Sequence, residues 1–181
     1  MRGRAVWLMV AFAAWPASLA QGQVVGAGSL AALIGAQVRG PANEPVFGGI
    51  GSFGFVAGRF FLGPEFGLVQ GAKTRARILG FVARASFRGS SGRVRPFLVV
   101  GAGSYGWSSR SDYALPTGGT VAQWAGVSFL SGSLGGGAEV GSGATRTTVF
   151  ELRYHGILQR TGYPPVSRGL LTAGVGVRFR W

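Results

Sequence analysis

Few side chains in this sequence could carry acid–base or metal chemistry: one histidine, five carboxylates and no cysteine. The absence of cysteine excludes a disulfide framework, a thiolate zinc site and a cysteine nucleophile. The histidine, His155, has no second histidine to join it in a metal cluster. Gly135-Gly136-Gly137 lies in a predicted strand instead of preceding a helix, as a nucleotide-binding loop would. The sequence therefore predicts no catalytic residue, no cofactor and no metal.

The charged residues form a pattern of their own. Seven of them share the polar faces of predicted strands, and we name them the lumen network: Glu65, Arg84, Glu139, Glu151, Arg153, Arg178 and Arg180. Unpaired charge enclosed away from water costs several kcal/mol, so these groups should form hydrogen-bonded arginine–carboxylate pairs. The pattern predicts a structural polar plug. A regulated pore and a ligand-holding lumen are the other two interpretations.

Alternation of apolar and polar residues indicates the elements that position these charges. Phe66 and Leu68, for example, fall on the opposite face from Glu65, which is typical of a β-strand. Eight segments are predicted strands: residues 24–34, 47–57, 60–70, 74–87, 94–107, 127–140, 147–158 and 170–181. With 34 glycines and few helix-forming stretches, the chain is predicted to be all-β.

The last strand indicates what the apolar faces meet. Leu171, Val175, Phe179 and Trp181 share one face and Arg178 lies on the other. An apolar strand face with an aromatic residue at its end is what a lipid-facing strand needs. The alternatives are an edge strand of a soluble sandwich and a soluble lipocalin-like barrel, which would carry its apolar side chains inside.

Strand number and length favour a closed barrel in a membrane. Most of the segments reach the length of about 9–11 residues that a tilted strand needs to cross a bilayer. Backbone exposed to lipid must be fully hydrogen-bonded, which closure achieves, and eight strands leave an interior that side chains just fill. The predicted fold is an eight-stranded antiparallel transmembrane up-and-down β-barrel.

The first twenty residues have the layout of a secretory signal peptide. A basic start at Arg2 and Arg4 precedes an apolar core over residues 5–15, and Ser18-Leu19-Ala20 offers small residues to a signal peptidase. The core is shorter than the roughly 20 residues of a spanning helix, which disfavours a signal anchor. We predict a signal peptide over residues 1–20 and a barrel over residues 21–181.

The predicted connections alternate in length. Long links cover residues 35–46, 108–126 and 159–167, and short turns follow strands 2, 4 and 6. Long extracellular loops and short periplasmic turns are the rule for such barrels, which places both termini on the periplasmic side. The link at residues 71–73 is shorter than this pattern predicts, which suggests that strand 3 or strand 4 ends earlier.

Two motifs carry a family resemblance. The run from Arg95-Pro96-Phe97 to Gly101-Ala102-Gly103-Ser104-Tyr105 resembles a strand of small OmpA-like and OmpX-like outer-membrane β-barrel domains, and Phe150-Glu151-Leu152-Arg153-Tyr154 is similar to another segment of that group. The resemblance implies a location in the outer membrane of a Gram-negative-type bacterium. It also implies that the barrel-assembly machinery reads Phe179 and Trp181 as an assembly signal. Lipid A deacylases of such membranes use a His-x-Ser spacing, which is missing at His155.

The net charge of +13 falls to +11 once Arg2 and Arg4 leave with the signal peptide. The arginines are scattered over strand ends and one strand face, so nucleic acid is not a predicted partner. Outer-membrane lipids and the phosphates of lipopolysaccharide are the expected partners.

The predicted function is therefore a non-catalytic structural, envelope-integrity or surface-interaction role. A small porin-like channel is one alternative. A surface adhesin that binds an unknown ligand through its loops, with Tyr113 and Trp124, is the other.

Overall fold

The computed structural model describes residues 24–38, 44–87, 93–141, 145–158 and 169–181. The predicted signal peptide, residues 1–20, lies outside these ranges. The eight strands are β1 (Val24–Val38), β2 (Pro45–Ala57), β3 (Phe60–Gln70), β4 (Thr74–Ser86), β5 (Val94–Leu115), β6 (Gly119–Val140), β7 (Arg146–Ile157) and β8 (Gly169–Arg180).

Each strand pairs antiparallel with the next, and β1 pairs with β8 to close the barrel. The closing register joins Ala27 to Arg180 and Val38 to Gly169. The prediction of an eight-stranded antiparallel up-and-down barrel is confirmed. Within the described ranges, no helix is long and apolar enough to cross a membrane.

The two ends of the barrel differ. We call the end that carries the start of β1 and Trp181 the terminal end, where the turn at Gly58 and Arg59 also lies. The opposite end, with the link at residues 71–73 and the tip of the β5–β6 hairpin, is the distal end. Gly58 has a φ of 58°, a conformation that glycine adopts at little cost.

The predicted strand faces are confirmed. Large apolar side chains cover the outside: Phe55 is 68% exposed and Phe81 is 66% exposed. Their strand neighbours Val56 and Val82 are buried in the lumen. A barrel with this exterior exposes apolar surface all round, which suits lipid and not water.

The short link at residues 71–73 is real, and β3 and β4 do not end early. β3 runs to Gln70 and β4 starts at Thr74, and the backbone N–H of Gly71 donates to the carbonyl of Thr74 at 2.8 Å. The suggestion that one of these strands is shorter was wrong. A tight turn closes this distal hairpin instead.

The predicted long loop over residues 108–126 was wrong. β5 and β6 are each 22 residues long and continue as one hairpin to the pair Leu115 and Gly119, with Gly118 in the turn at a φ of 77°. The apolar–polar alternation fades at Ser108, beyond which neither face of the hairpin is apolar throughout. Backbone pairing needs no such alternation, so the strands extend beyond it.

The first strand has weak alternation because both of its faces mix small and large apolar residues, with Leu30 outward and Leu33 inward. Gly26 and Gly28 face outward on β1, and the indole of Trp181 lies across both of them. A Cβ atom at Gly26 would lie 2.7 Å from Cε2 of Trp181. The backbone N–H of Trp181 also donates to the carbonyl of Gly26 at 3.0 Å. Trp181 therefore packs over the junction of β1 and β8 at the terminal end and hydrogen-bonds to β1.

Candidate functional site in the barrel lumen

All seven residues of the lumen network point into the barrel, from five different strands. Glu65 comes from β3, Arg84 from β4, Glu139 from β6, Glu151 and Arg153 from β7, and Arg178 and Arg180 from β8. Alternation places each of them on the inner face because the flanking residues face outward. No two of these strands other than β3–β4, β6–β7 and β7–β8 are neighbours, so closure of the barrel is what brings the set together.

Inward glycines make room for the long side chains. Gly135 on β6 pairs directly with Arg153 on β7. A Cβ atom at Gly135 would lie 2.8 Å from Cα of Arg153, closer than real side chains come. The missing side chain at Gly135 leaves space beside Arg153 in a narrow eight-stranded barrel.

Arg153 joins two carboxylates. Its Nη1 lies 2.6 Å from both carboxylate oxygens of Glu65, and its Nη2 lies 2.6 Å from Oε1 of Glu151. The Arg153 side chain is almost fully buried. Short charge-assisted hydrogen bonds of this kind are the strong ones in proteins.

Arg84 continues the chain of ion pairs. Its Nη2 donates to Oε2 of Glu151 at 3.0 Å, and its Nη1 lies 4.0 Å from Oε1 of Glu139. The guanidinium also lies over the ring of Phe97, 4.4 Å from the centroid. Arg84 therefore connects the carboxylate near the middle of the barrel to the one near the terminal end.

Glu139 joins the network to the two arginines of β8 on the terminal side. Its carboxylate pairs with Nη1 of Arg178 and lies 3.6 Å from Nη2 of Arg180. The Ser86 hydroxyl lies 3.5 Å from Oε1 of the same carboxylate. One carboxylate thus faces three guanidinium groups, those of Arg84, Arg178 and Arg180.

The network is continuous but not neutral. Ion pairs run from Glu65 through Arg153, Glu151 and Arg84 to Glu139, and there reach the two arginines of β8. Three carboxylates face four guanidinium groups. Several buried guanidinium nitrogens have no hydrogen-bond partner among the described residues, including Nη2 of Arg178 and Nε of Arg180.

Apolar side chains pack against the charges. Toward the distal end, the rings of Tyr105 and Trp107 stack with centroids 6.2 Å apart, inside a buried cluster with Leu33 and Val69. A second buried cluster, with Phe61 and Phe97 among its members, lies between the ion pairs in the terminal half of the barrel. Neither Tyr105, which the family motif includes, nor Trp107 was predicted as a lumen residue. Their odd-numbered positions, in step with Phe97 and Val99, were the signal that would have identified them.

His155 is an interior residue, as its position opposite Tyr154 predicts. It is buried, it pairs across the strands with Ser133, and its Nε2 has no hydrogen-bond partner in the described structure. The cavity that His155, Ser133 and Glu65 line has a volume of about 10 Å³, less than a single substrate group needs. No group of three or more metal-ligating side chains occurs within the described residues.

Basic residues gather on the outer surface at the distal end. The guanidinium of Arg75 lies over the ring of Trp124, 4.1 Å from its centroid. Arg77 follows on the same outward face of β4, and Arg110 on β5 pairs with Asp112 at 2.9 Å. We call Lys73, Arg75, Arg77, Arg110 and Trp124 the distal rim.

Glu44 holds the link between β3 and β4. Its carboxylate accepts from the backbone N–H of Lys73 at 3.1 Å and from the Thr74 hydroxyl. Gln37 in turn donates to the Thr74 hydroxyl at 3.1 Å. Tyr113, which was predicted with Trp124 to lie in a ligand-binding loop, lies in β5 on the protruding hairpin and is exposed.

Comparison with solved structures shows the same fold in small outer-membrane barrels. Neisserial surface protein A matches with a TM-score of 0.64 and 13% identity, over 87% of this chain and 97% of that one. The N-terminal β-barrel domain of Pseudomonas aeruginosa OprF matches with a TM-score of 0.55 and 15% identity, over 88% of this chain and all of that one. Yersinia pestis Ail, crystallised with the heparin analogue sucrose octasulfate, matches with a TM-score of 0.52 and 11% identity, over 87% and 99%.

No protein-family profile matches the sequence, and no curated protein matches it. The structural likeness, at these identities, concerns the fold. It confirms the resemblance to small OmpA-like and OmpX-like barrels at that level.

Proposed function

We propose that the chain is a non-catalytic outer-membrane barrel with a structural or surface-interaction role, whose lumen is closed by the lumen network. The single observation that carries this proposal is the continuous series of buried ion pairs from Glu65 to Arg178. The apolar exterior and the likeness to outer-membrane barrels support a location in the outer membrane. In that membrane the terminal end faces the periplasm and the distal end faces outward.

Packing as well as charge supports a closed lumen. Arg153 and Glu139 are nearly inaccessible to solvent, one apolar cluster with Trp107 lies on the distal side of the charges, and a second with Phe97 packs between them. A water-filled channel would leave these side chains hydrated. Breaking a buried pair leaves an uncompensated charge, so the arrangement stabilises a closed state.

Around His155, the described residues leave no room for a substrate. A nucleophile needs an adjacent base and room for the reacting group. The nearest such arrangement, Ser133 beside His155, borders a cavity too small for a substrate. This supports a role without chemistry.

The distal rim supports lipopolysaccharide as the lipid partner. Arg77 and Arg75 point outward one and two strand repeats above Leu79, which is on the lipid-facing surface. Arginine matches phosphate oxygens in a bidentate geometry, and Trp124 is an amphipathic side chain suited to an interface. The outer-leaflet phosphates would lie at this level.

Conductance tests the closed lumen. The purified protein, inserted in planar bilayers, should give no steady open-pore current, whereas Glu151→Gln should raise the leak. Asp112→Asn, which alters only an exposed pair, is the matched control. A steady current through the wild type would contradict the plug and favour a small porin-like channel.

Unfolding in vesicles tests the rim. Lipopolysaccharide should raise the unfolding temperature of the wild type, and the double variant Arg75→Gln, Arg77→Gln should lose that gain. Arg146→Gln removes an outward arginine at the opposite end, so this variant should retain the rise in unfolding temperature. Equal gains in all three proteins would reject the rim as the lipopolysaccharide contact.

Surface recognition is a second candidate because the β5–β6 hairpin protrudes. Its pairs from Arg110 to Leu115 lie beyond the last residue that β4 pairs with, Ser109. Tyr113 is 56% exposed on this extension. If the hairpin binds anionic glycans, as Ail binds a heparin analogue, wild type should bind sucrose octasulfate. A variant in which a short turn replaces residues 111–123 should not bind it.

A further inference from the structure

A cavity of about 470 Å³ opens at the terminal end of the barrel. Four arginines line it together with a hydroxyl group: Arg59, Arg95, Arg178, Arg180 and Ser86. No carboxylate lines it among the described residues. The cavity lies on the opposite side of the ion pairs from His155 and at the opposite end from the distal rim.

The arginines of this cavity are short of acceptors. In the part of the chain that the structure describes, Nη2 of Arg178 and Nε of Arg180 have no hydrogen-bond partner, and Arg178 is only 2% exposed. A buried guanidinium nitrogen without a partner loses its hydration without compensation. The single carboxylate behind the cavity, that of Glu139, is already shared among three guanidinium groups.

Arg95 and Arg59 lie at the exposed mouth of the cavity. The backbone of Arg95 pairs directly with that of Glu139, yet Arg95 forms no ion pair among the described residues, and neither does Arg59. Both side chains line the cavity instead. Positive charge therefore converges on this space from three walls, β2–β3, β5 and β8.

The remaining walls are apolar and largely aromatic. Phe60, Phe61 and Phe87 border the cavity, and the guanidinium of Arg178 lies 5.4 Å from the ring centroid of Phe61. Guanidinium forks recognise phosphate oxygens, whereas the rings offer apolar contact beside them. The combination suits an anion with a phosphate group and an apolar part.

We propose that this cavity is a binding site for a phosphate-bearing amphiphilic anion that enters from the terminal end. At the base of the cavity, Arg178 and Arg180 would donate hydrogen bonds to the phosphate oxygens. At the mouth, Arg59 and Arg95 would contact the same anion. The source is either a free phosphate ester or the headgroup of an anionic phospholipid. The site lies outside the distal half of the lumen and does not depend on the role proposed above.

Calorimetric titration of the full protein with phenyl phosphate tests the site, in octyl glucoside so that no detergent phosphate competes. Wild type should bind. The double variant Arg59→Gln, Arg95→Gln, which leaves every observed ion pair intact, should bind at least tenfold more weakly. Arg146→Gln, an arginine at the same end but on the outer surface, should bind as wild type does. Absence of wild-type binding, or equal weakening in Arg146→Gln, would overturn the proposal.

A second titration identifies the source of the phosphate. Micelles doped with phosphatidylglycerol should compete with phenyl phosphate if a lipid headgroup occupies the site, and phosphatidylcholine should compete less because it carries no net charge. Competition by neither lipid assigns the site to a free phosphate ester. If an Arg178→Gln variant refolds, it should not bind phenyl phosphate, whether the natural ligand is a lipid or a free phosphate ester.

Discussion

Arg153 and Glu65 are 88 residues apart in sequence, and their side chains meet at 2.6 Å inside the barrel. The two strands that carry them, β7 and β3, lie on opposite sides of the closed sheet. This ion pair therefore spans the lumen. It shows that the charges on the polar faces act across the barrel and not along one strand.

Glu151→Gln should lower the free energy of unfolding by roughly 3–5 kcal/mol, because Arg153 and Arg84 would both lose an ion-pair partner while buried. Urea unfolding in lipid vesicles measures the change. Asp112→Asn is the control, since its pair with Arg110 is exposed, and it should change the free energy by less than about 1 kcal/mol. Similar values for the two variants would show that the lumen network does not stabilise the barrel.

Leu152→Arg should destabilise the membrane-inserted barrel by about 2–4 kcal/mol, because Leu152 faces outward at mid-strand and is 56% exposed. Gln70→Arg places the same charge outward at the distal end of β3, where the cost falls to about 0–1 kcal/mol. Refolding titrations in vesicles measure the stability of both variants. A Leu152→Arg protein as stable as wild type would refute the lipid-facing assignment of β7.

Gly26→Ala should impair assembly much as deletion of Trp181 does, because the added Cβ would displace the indole from the junction of β1 and β8. Gly132→Ala is the matched control, since its Cβ would meet only Leu158 at 3.4 Å. The measurement is the fraction of heat-modifiable, folded protein in the outer membrane. Normal levels of both Gly26→Ala and the Trp181 deletion would argue against Trp181 as part of an assembly signal.

Glu44→Ala should loosen the distal link between β3 and β4. The Lys73 N–H and the Thr74 hydroxyl would lose their acceptor, at a cost of about 1–2 kcal/mol. Faster hydrogen exchange at the Lys73 amide is the expected local signature. Unchanged exchange at Lys73, with unchanged stability, would mean that this carboxylate does not hold the link.

The sequence alone determined which side chains lie on each face of a strand. A period of two is a property of the extended backbone, so the alternation at Glu65, Glu151 or Phe179 indicated which side chains share a surface whatever the strand pairs with. It also determined the number of strands, because each lipid-facing run of apolar residues is interrupted by turn residues. The membership of the lumen network came from the same alternation.

Tertiary structure decided what the alternation could not. The length of the β5–β6 hairpin depends on backbone pairing beyond Ser108, where the face pattern fades. The contact of Trp181 with Gly26 and the ion pair of Arg153 with Glu65 depend on closure, which joins strands distant in sequence. The cavity between Arg95 and Arg178 has the same origin. Each is fixed by register across the barrel, and register is set by the whole sheet and not by any one strand.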